Sequence, residues 1–208
     1  MKCLKWLWLG LPAAFAASWL AFVAYPLVQF GGMQPLPNEA TGGFFPAPLP
    51  SLAIAGQRVY AANGCVYCHS QQVRISPPSS DIPAGLGTSH TVPLDALRRK
   101  FSFPGTMRTG PDLSGIGSRQ PDAAWHHRHL YAPRSVTPWS VMPSFRFLYH
   151  LRKIQGQPSD EAVSGLQGPH APAEGWEIVP TPEAHALVAY LLSLKSAVPP
   201  EPTTQVPK

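Results

Sequence analysis

The chain has 208 residues, enough for one ordinary domain plus attachments, with 26 prolines and only 13% charged residues. That composition fits a small core wrapped in much irregular chain. Sixteen basic residues against 11 acidic ones give a formal charge of +5, too weak and too scattered to argue for a nucleic-acid partner. A docking face for an acidic partner stays open, and three cysteines do not make a disulfide framework.

The first element is an apolar run. From Trp6 to Phe30 no residue is charged. Roughly 25 residues make a helix of about 37 Å, against a hydrocarbon core of about 30 Å. Residues 1–30 are therefore expected to be a transmembrane anchor, with Trp6 and Trp8 at one interface and Tyr25 at the other. Lys2 and Lys5 place the N-terminus in the cytoplasm and the rest of the chain on the outer, periplasmic face of the membrane. The other reading is a cleaved signal peptide, with small residues near Ala14 to Ala17 imitating a cleavage site. The apolar run, however, continues well past the 7–15 residues or so of a signal core. Pro12 and Pro26 are expected to kink or end the helix, and Cys3 to be an inert intramembrane thiol.

Residues 31–51 are rich in Gly and Pro and read as an extended linker. A domain is expected over 52–197 and a Pro-rich, disordered tail over 198–208. Within the domain, Leu52 to Cys65 has helical character. Ile75 to Thr109 is a long irregular insertion, functional or mobile. Pro121 to Tyr131 reads as a short helix opened by Pro and Asp. Gln155 to Pro180 is a second irregular insertion. Thr181 to Ser196 is the clearest helix: Thr181 as N-cap, Pro182 at the first position, Glu183 in the first turn and Lys195 in the last. Ala184, Leu187, Leu191 and Leu194 give it one apolar face. No repeat and no alternating strand pattern stands out.

The chemistry concentrates in NGCVYCHSQQVR, Asn63 to Arg74. Cys65, Cys68 and His69 form C-x-x-C-H, the attachment signature of a c-type haem. Two thiols at this spacing can add to the two vinyl groups on one porphyrin edge, and the adjoining imidazole can then bind the iron. A structural zinc site would need a fourth ligand that the chain does not offer nearby. A thioredoxin-like dithiol would expect a preceding strand and a βαβ context, where this sequence has a helix. One covalent haem c is thus the expected cofactor. Met107 and Met142 are the candidates for a sixth ligand. Met142, in the loop SVMPSF where Pro143 removes a backbone donor, is the expected one. Either could also be a core methionine. His/Met ligation would raise the reduction potential, which suits an electron carrier near the oxidising end of a chain.

The order of motifs resembles class I cytochrome c: a helix, C-x-x-C-H, G-P-x-L at Gly110, Pro111 and Leu113, a loop methionine, and a C-terminal helix. The resemblance implies that the Pro111 carbonyl accepts a bond from His69, fixing its tautomer. It also implies that Gly56 and Tyr60 on the first helix cross Leu187 and Tyr190 on the last. The fold implied is mainly α: one N-terminal transmembrane helix plus a class I cytochrome c-like domain with long irregular insertions.

Four strings carry a narrower resemblance: GCVYCHSQQVR, RTGPDLSGIGSR, WHHRHLYAPRSVTPWSVMPSF and ALVAYLLSLK. They look like the membrane-anchored mono-haem subunit II of cbb3-type cytochrome c oxidases. The insertions 75–106 and 155–180 depart from that family's usual text. The resemblance implies an electron-transfer subunit that accepts electrons from another c-type cytochrome and passes them to a membrane-embedded haem–copper subunit. One membrane helix cannot enclose the haems and copper that oxygen reduction needs, so no catalytic residue is assigned to this chain. The rival readings are an anchored cytochrome c serving another respiratory complex, and a haem enzyme or sensor with an open iron. Arg134 is the arginine expected to pair with a haem propionate, ahead of Arg108 and Arg119. His126 and His129 are expected to pack or hydrogen-bond beside the haem crevice. His127, His150, His170 and His185 read as solvated or structural.

Overall fold

The computed structural model describes residues 2–38, 42–75, 77, 79–97 and 99–195. The expected tail, 198–208, lies outside them. The described residues of 1–46 and 92–98 form one unit, and those of 47–91 and 99–195 form another.

In the first unit the apolar run is helical throughout: α1 (Lys2–Trp19), a π turn (Leu20–Ala24) and α2 (Tyr25–Phe30). The stretch Trp6–Phe30 is long and apolar enough to cross a membrane. Neither proline ends it. Pro12 sits inside α1, and the wide π register immediately precedes Pro26, where Tyr25 N–H reaches back to the Leu20 carbonyl. A ring with no N–H cannot serve the ordinary i−4 carbonyl, and widening the turn accommodates it. The expected linker is not wholly extended. β1 (Leu36–Asn38) pairs antiparallel with β2 (Gly43–Phe45), Leu36 opposite Phe45. A short 3₁₀ turn, Pro93–Ala96, follows from the second stretch of this unit.

The second unit is built on two crossing helices, α3 (Ser51–Ala62) and α7 (Pro182–Ser193). At the crossing, a Cβ on Gly56 would fall on the Ala186 backbone carbonyl, so only glycine permits the approach. Tyr60 and Tyr190 are both buried and meet edge-on, 5.4 Å between ring centroids, with Phe103 on the other side of Tyr60. α7 begins as its sequence requires, with the Thr181 hydroxyl accepting from Ala184 N–H at 3.3 Å. It ends earlier than expected, so Lys195 is not in its last turn. Leu194 leaves the helix and is fully buried, its carbonyl taken by Gly117 N–H at 2.8 Å.

Three short helices fill the span between: α4 (Ile116–Arg119), α5 (Ala123–Tyr131) and α6 (Pro133–Val136). α5 is capped by Asp122, whose carboxylate accepts from Ala124 and Trp125 N–H. The expectation that Gln155 to Pro180 is irregular is corrected at its end. β3 (Tyr149–Lys153) pairs antiparallel with β4 (Trp176–Pro180), Leu151 opposite Ile178. β4 is buried along almost its whole length, while β3 is polar and mostly exposed, so neither shows the alternation that betrays a strand. Glu177 on β4 accepts from Arg152 Nε on β3 at 2.8 Å and from Ser159 N–H in the connecting segment at 2.7 Å.

The insertion after Ile75 is tied at its base. Val73 and Thr91 exchange two bonds of 2.9 Å each, and Arg74 N–H donates to Asp81 at 2.7 Å. Its ends are thus close together, as in an Ω-loop.

Candidate functional site

The C-x-x-C-H segment follows α3 through one sharp turn. Asn63 closes the helix, its side-chain amide donating to the Val59 carbonyl at 2.8 Å. Gly64 then takes a left-handed conformation, φ +66°, that L side chains seldom adopt. Cys65–Tyr67 form a 3₁₀ turn, and the Cys65 carbonyl accepts from both Cys68 and His69 N–H. The two thiols and the imidazole therefore leave one compact turn.

This turn is laced to the TGPDL segment, Thr109 to Leu113. Gly110 N–H donates to the Cys68 carbonyl at 2.9 Å, and Leu113 N–H to the Ser70 carbonyl at 2.8 Å. Between them His69 Nδ1 lies 2.8 Å from the Pro111 carbonyl. A carbonyl only accepts, so Nδ1 carries the proton and Nε2 keeps its lone pair for a metal. Burial lowers the His69 pKa, opposed by the Pro111 bond and the Asp112 charge. A Cβ on Gly110 would fall inside the His69 ring, so a glycine there lets the ring lie flat against the backbone.

His69 faces a cavity of about 600 Å³. Cys65, Cys68, His69 and the Gly110–Pro111 edge form one wall. The loop 137–143, with Met142, forms another, and Leu113, Leu130, Leu187 and Leu191 add apolar lining. Met142 is partly buried against the core, whereas Met107 is 61% exposed beside a separate, smaller hollow with Val66 and Tyr67. Trp139 and Val141 line the cavity yet are 82% and 71% exposed, which marks its mouth.

The three arginines separate. Arg134 is exposed on α6 and does not line the cavity. Arg108 turns away into a fork on Asp81, at 2.6 and 2.8 Å. Arg119 lines the cavity, with its guanidinium held by the Leu86 and Asp112 carbonyls. The histidines of α5 separate too. His126 is buried, with Nε2 donating to the Gln120 carbonyl at 2.8 Å. His129 stacks flat on Trp125, centroids 4.7 Å apart and planes at 6°, and both line the cavity. Burial, with His69 and His126 nearby, pushes His129 down to about 4. The Trp125–His129 pair escapes a reading centred on the two histidines; the i,i+4 spacing that brings one helix face together was the available signal. His127 and His185 lie outside the cavity and meet edge-on.

The residues present fit a haem held through both cysteines. Among the described residues no group of three or more His, Cys, Asp or Glu side chains is placed to hold a metal ion. Burial pushes the Cys65 thiol up to about 11, the reverse of the activated thiolate that a redox dithiol needs. Met142 supplies a soft sulfur donor in the same cavity as the His69 nitrogen.

A family model described as cytochrome c oxidase, mono-heme subunit/FixO matches residues 45–167. Its limits take in both cysteines, His69, the TGPDL segment, α5 and the Met142 loop. No curated protein matches the chain.

Proposed function

This chain belongs to the cytochrome c oxidase mono-haem subunit/FixO family, and we propose that it is the electron-transfer subunit of a cbb3-type haem–copper oxidase, taking electrons from a c-type cytochrome and handing them to the oxygen-reducing subunit. The observation that carries this reading is the apolar cavity walled on one side by Cys65, Cys68 and His69 and on another by Met142.

Haem c bound there supplies one-electron iron chemistry. The chain's own residues do the rest. Cys65 and Cys68 anchor the group as thioethers. His69 presents Nε2, because Pro111 holds the proton on Nδ1. Met142, lining the same cavity as His69, would hold the iron through its thioether sulfur. Leu113, Leu130, Leu187 and Leu191 keep water off the site and favour the ferrous state. Trp139 and Val141 at the mouth form the apolar approach for a redox partner. The helix Trp6–Phe30 acts as the anchor, with Lys2 and Lys5 in the cytoplasm and the haem domain on the outer face.

Purification of the membrane complex in mild detergent tests the reading. The chain is expected to co-purify with a membrane-embedded haem–copper subunit, and its haem to be oxidised by oxygen only in that complex. Recovery as a lone cytochrome would reject the assignment in favour of a shuttle.

A further inference from the structure

Asp112 stands next to the proline that orients His69, and its side chain is completely buried. Its carboxylate accepts from Ser70 Oγ at 2.6 Å, from Gln72 N–H at 2.7 Å and from Ser114 N–H at 2.8 Å. The Asp112 backbone carbonyl accepts from Arg119. Asp112, whose amide nitrogen shares a peptide unit with the oxygen that accepts the His69 Nδ1–H bond, is therefore gripped from several directions.

Arg108 carries this grip outward. Its Nε donates to Ser70 Oγ at 2.7 Å. A guanidinium cannot accept, so the Ser70 proton is delivered to Asp112. Arg108 Nη2 lies 3.6 Å from Asp112 and donates to the Gln72 carbonyl at 2.6 Å, while both Nη atoms bind Asp81 in the insertion. Two carboxylates thus face one guanidinium, directly behind the residues that follow His69 and Pro111. Within SQQVR, Ser70 gives its hydroxyl to Asp112, whereas Gln72 and Arg74 give backbone N–H groups to Asp112 and Asp81.

We infer that Asp112 and Arg108 are positioning residues of the haem site, fixing the His69–Pro111 bond and setting the reduction potential through the buried Asp112 carboxylate and the partly buried Arg108 guanidinium, with Asp81 tying the base of the insertion to the same cluster. This rests on the reading that His69 binds haem iron. A negative charge behind the ligand favours the ferric state and a positive charge disfavours it. Opposite substitutions therefore move the potential in opposite directions.

The test is redox titration of the full-length, haem-loaded chain in detergent. Asp112→Asn is expected to raise the potential, shifting the oxidation equilibrium at least about threefold, roughly 28 mV at 59 mV per decade for one electron. Asp81→Asn is expected to shift it in the same direction by less. Arg108→Gln is expected to lower it, and Arg108→Lys to return it toward wild type. Should Asp112→Asn take up no haem, Asp81→Asn and Arg108→Gln carry the same comparison of sign. A merely structural staple would loosen the site and move all variants one way; that result, or haem-loaded variants all within threefold of wild type, overturns the inference. A wild-type chain without covalent haem would instead overturn the proposed function, a distinct failure read from the same preparation.

Discussion

The two principal walls of the cavity are held by different means. The wall carrying His69 is fixed by hydrogen bonds: Gly110 to Cys68, His69 to Pro111, Leu113 to Ser70, and the Asp112 cluster behind them. The wall carrying Met142 has Ser140 N–H on the Thr137 carbonyl, Met142 N–H on Ser140 Oγ at 3.2 Å, and Pro138 and Pro143 to stiffen it. Its side chains Trp139 and Val141 stand in the open. A ligand that must keep one tautomer needs a directed network. A thioether, with no proton to place, needs only a loop that delivers it. The contrast implies that the first wall fails as a unit and the second residue by residue.

Gly110→Ala is the strongest way to break that contrast. The added Cβ displaces the His69 ring, and overpacking of this kind costs about 1–3 kcal/mol. Thermal unfolding should show that loss together with reduced haem content. Met142→Ala comes next. Its haem should stay attached through the cysteines while the long-wavelength sulfur–iron absorption disappears and the potential falls. Removing a half-buried methionine should cost less than the 2–5 kcal/mol or so of a fully buried one. An unchanged absorption band would strike Met142 from the ligand set.

Acid titration sharpens the comparison further. The Arg108 guanidinium holds the Asp81 carboxyl well below the usual carboxylate range. A depressed folded value means the pair stabilises the fold fully above the unfolded carboxylate pKa of about 3.9, and that this contribution is lost as pH falls through the folded value. Wild type should therefore lose stability below about pH 4 more steeply than Asp81→Asn; parallel curves would dismiss the pair as a stabilising contact. Trp139→Ala should have the smallest effect, within about 0.5 kcal/mol in unfolding and with an unaltered spectrum, because the side chain is mostly exposed.

Much of this was legible because it is local. Cys65, Cys68 and His69 fall within five residues, and α5 and α7 announce themselves through Asp122 and Thr181. What escaped is non-local or depends on direction. β3 and β4 lie 22 residues apart, one mostly polar and exposed and one buried along almost its whole length, so neither segment alone reads as a strand. Asp112, the unspecified position of G-P-x-L, is not singled out by the sequence; only the fold brings Ser70, Gln72 and Arg108 around it. Three arginines looked able to reach a haem carboxylate. Charge gives no direction, and only Arg119 lines the cavity, while Arg134 points to solvent.

The central claim is that this cavity holds one haem c, fixed by Cys65 and Cys68 and ligated by His69 and Met142. Haem staining of the full-length chain after denaturing electrophoresis, set beside Cys65→Ser/Cys68→Ser, tests its foundation most directly. The account predicts stain that survives denaturation in the wild type and vanishes in the double variant. Stain absent from the wild type, or persisting without both cysteines, would contradict it.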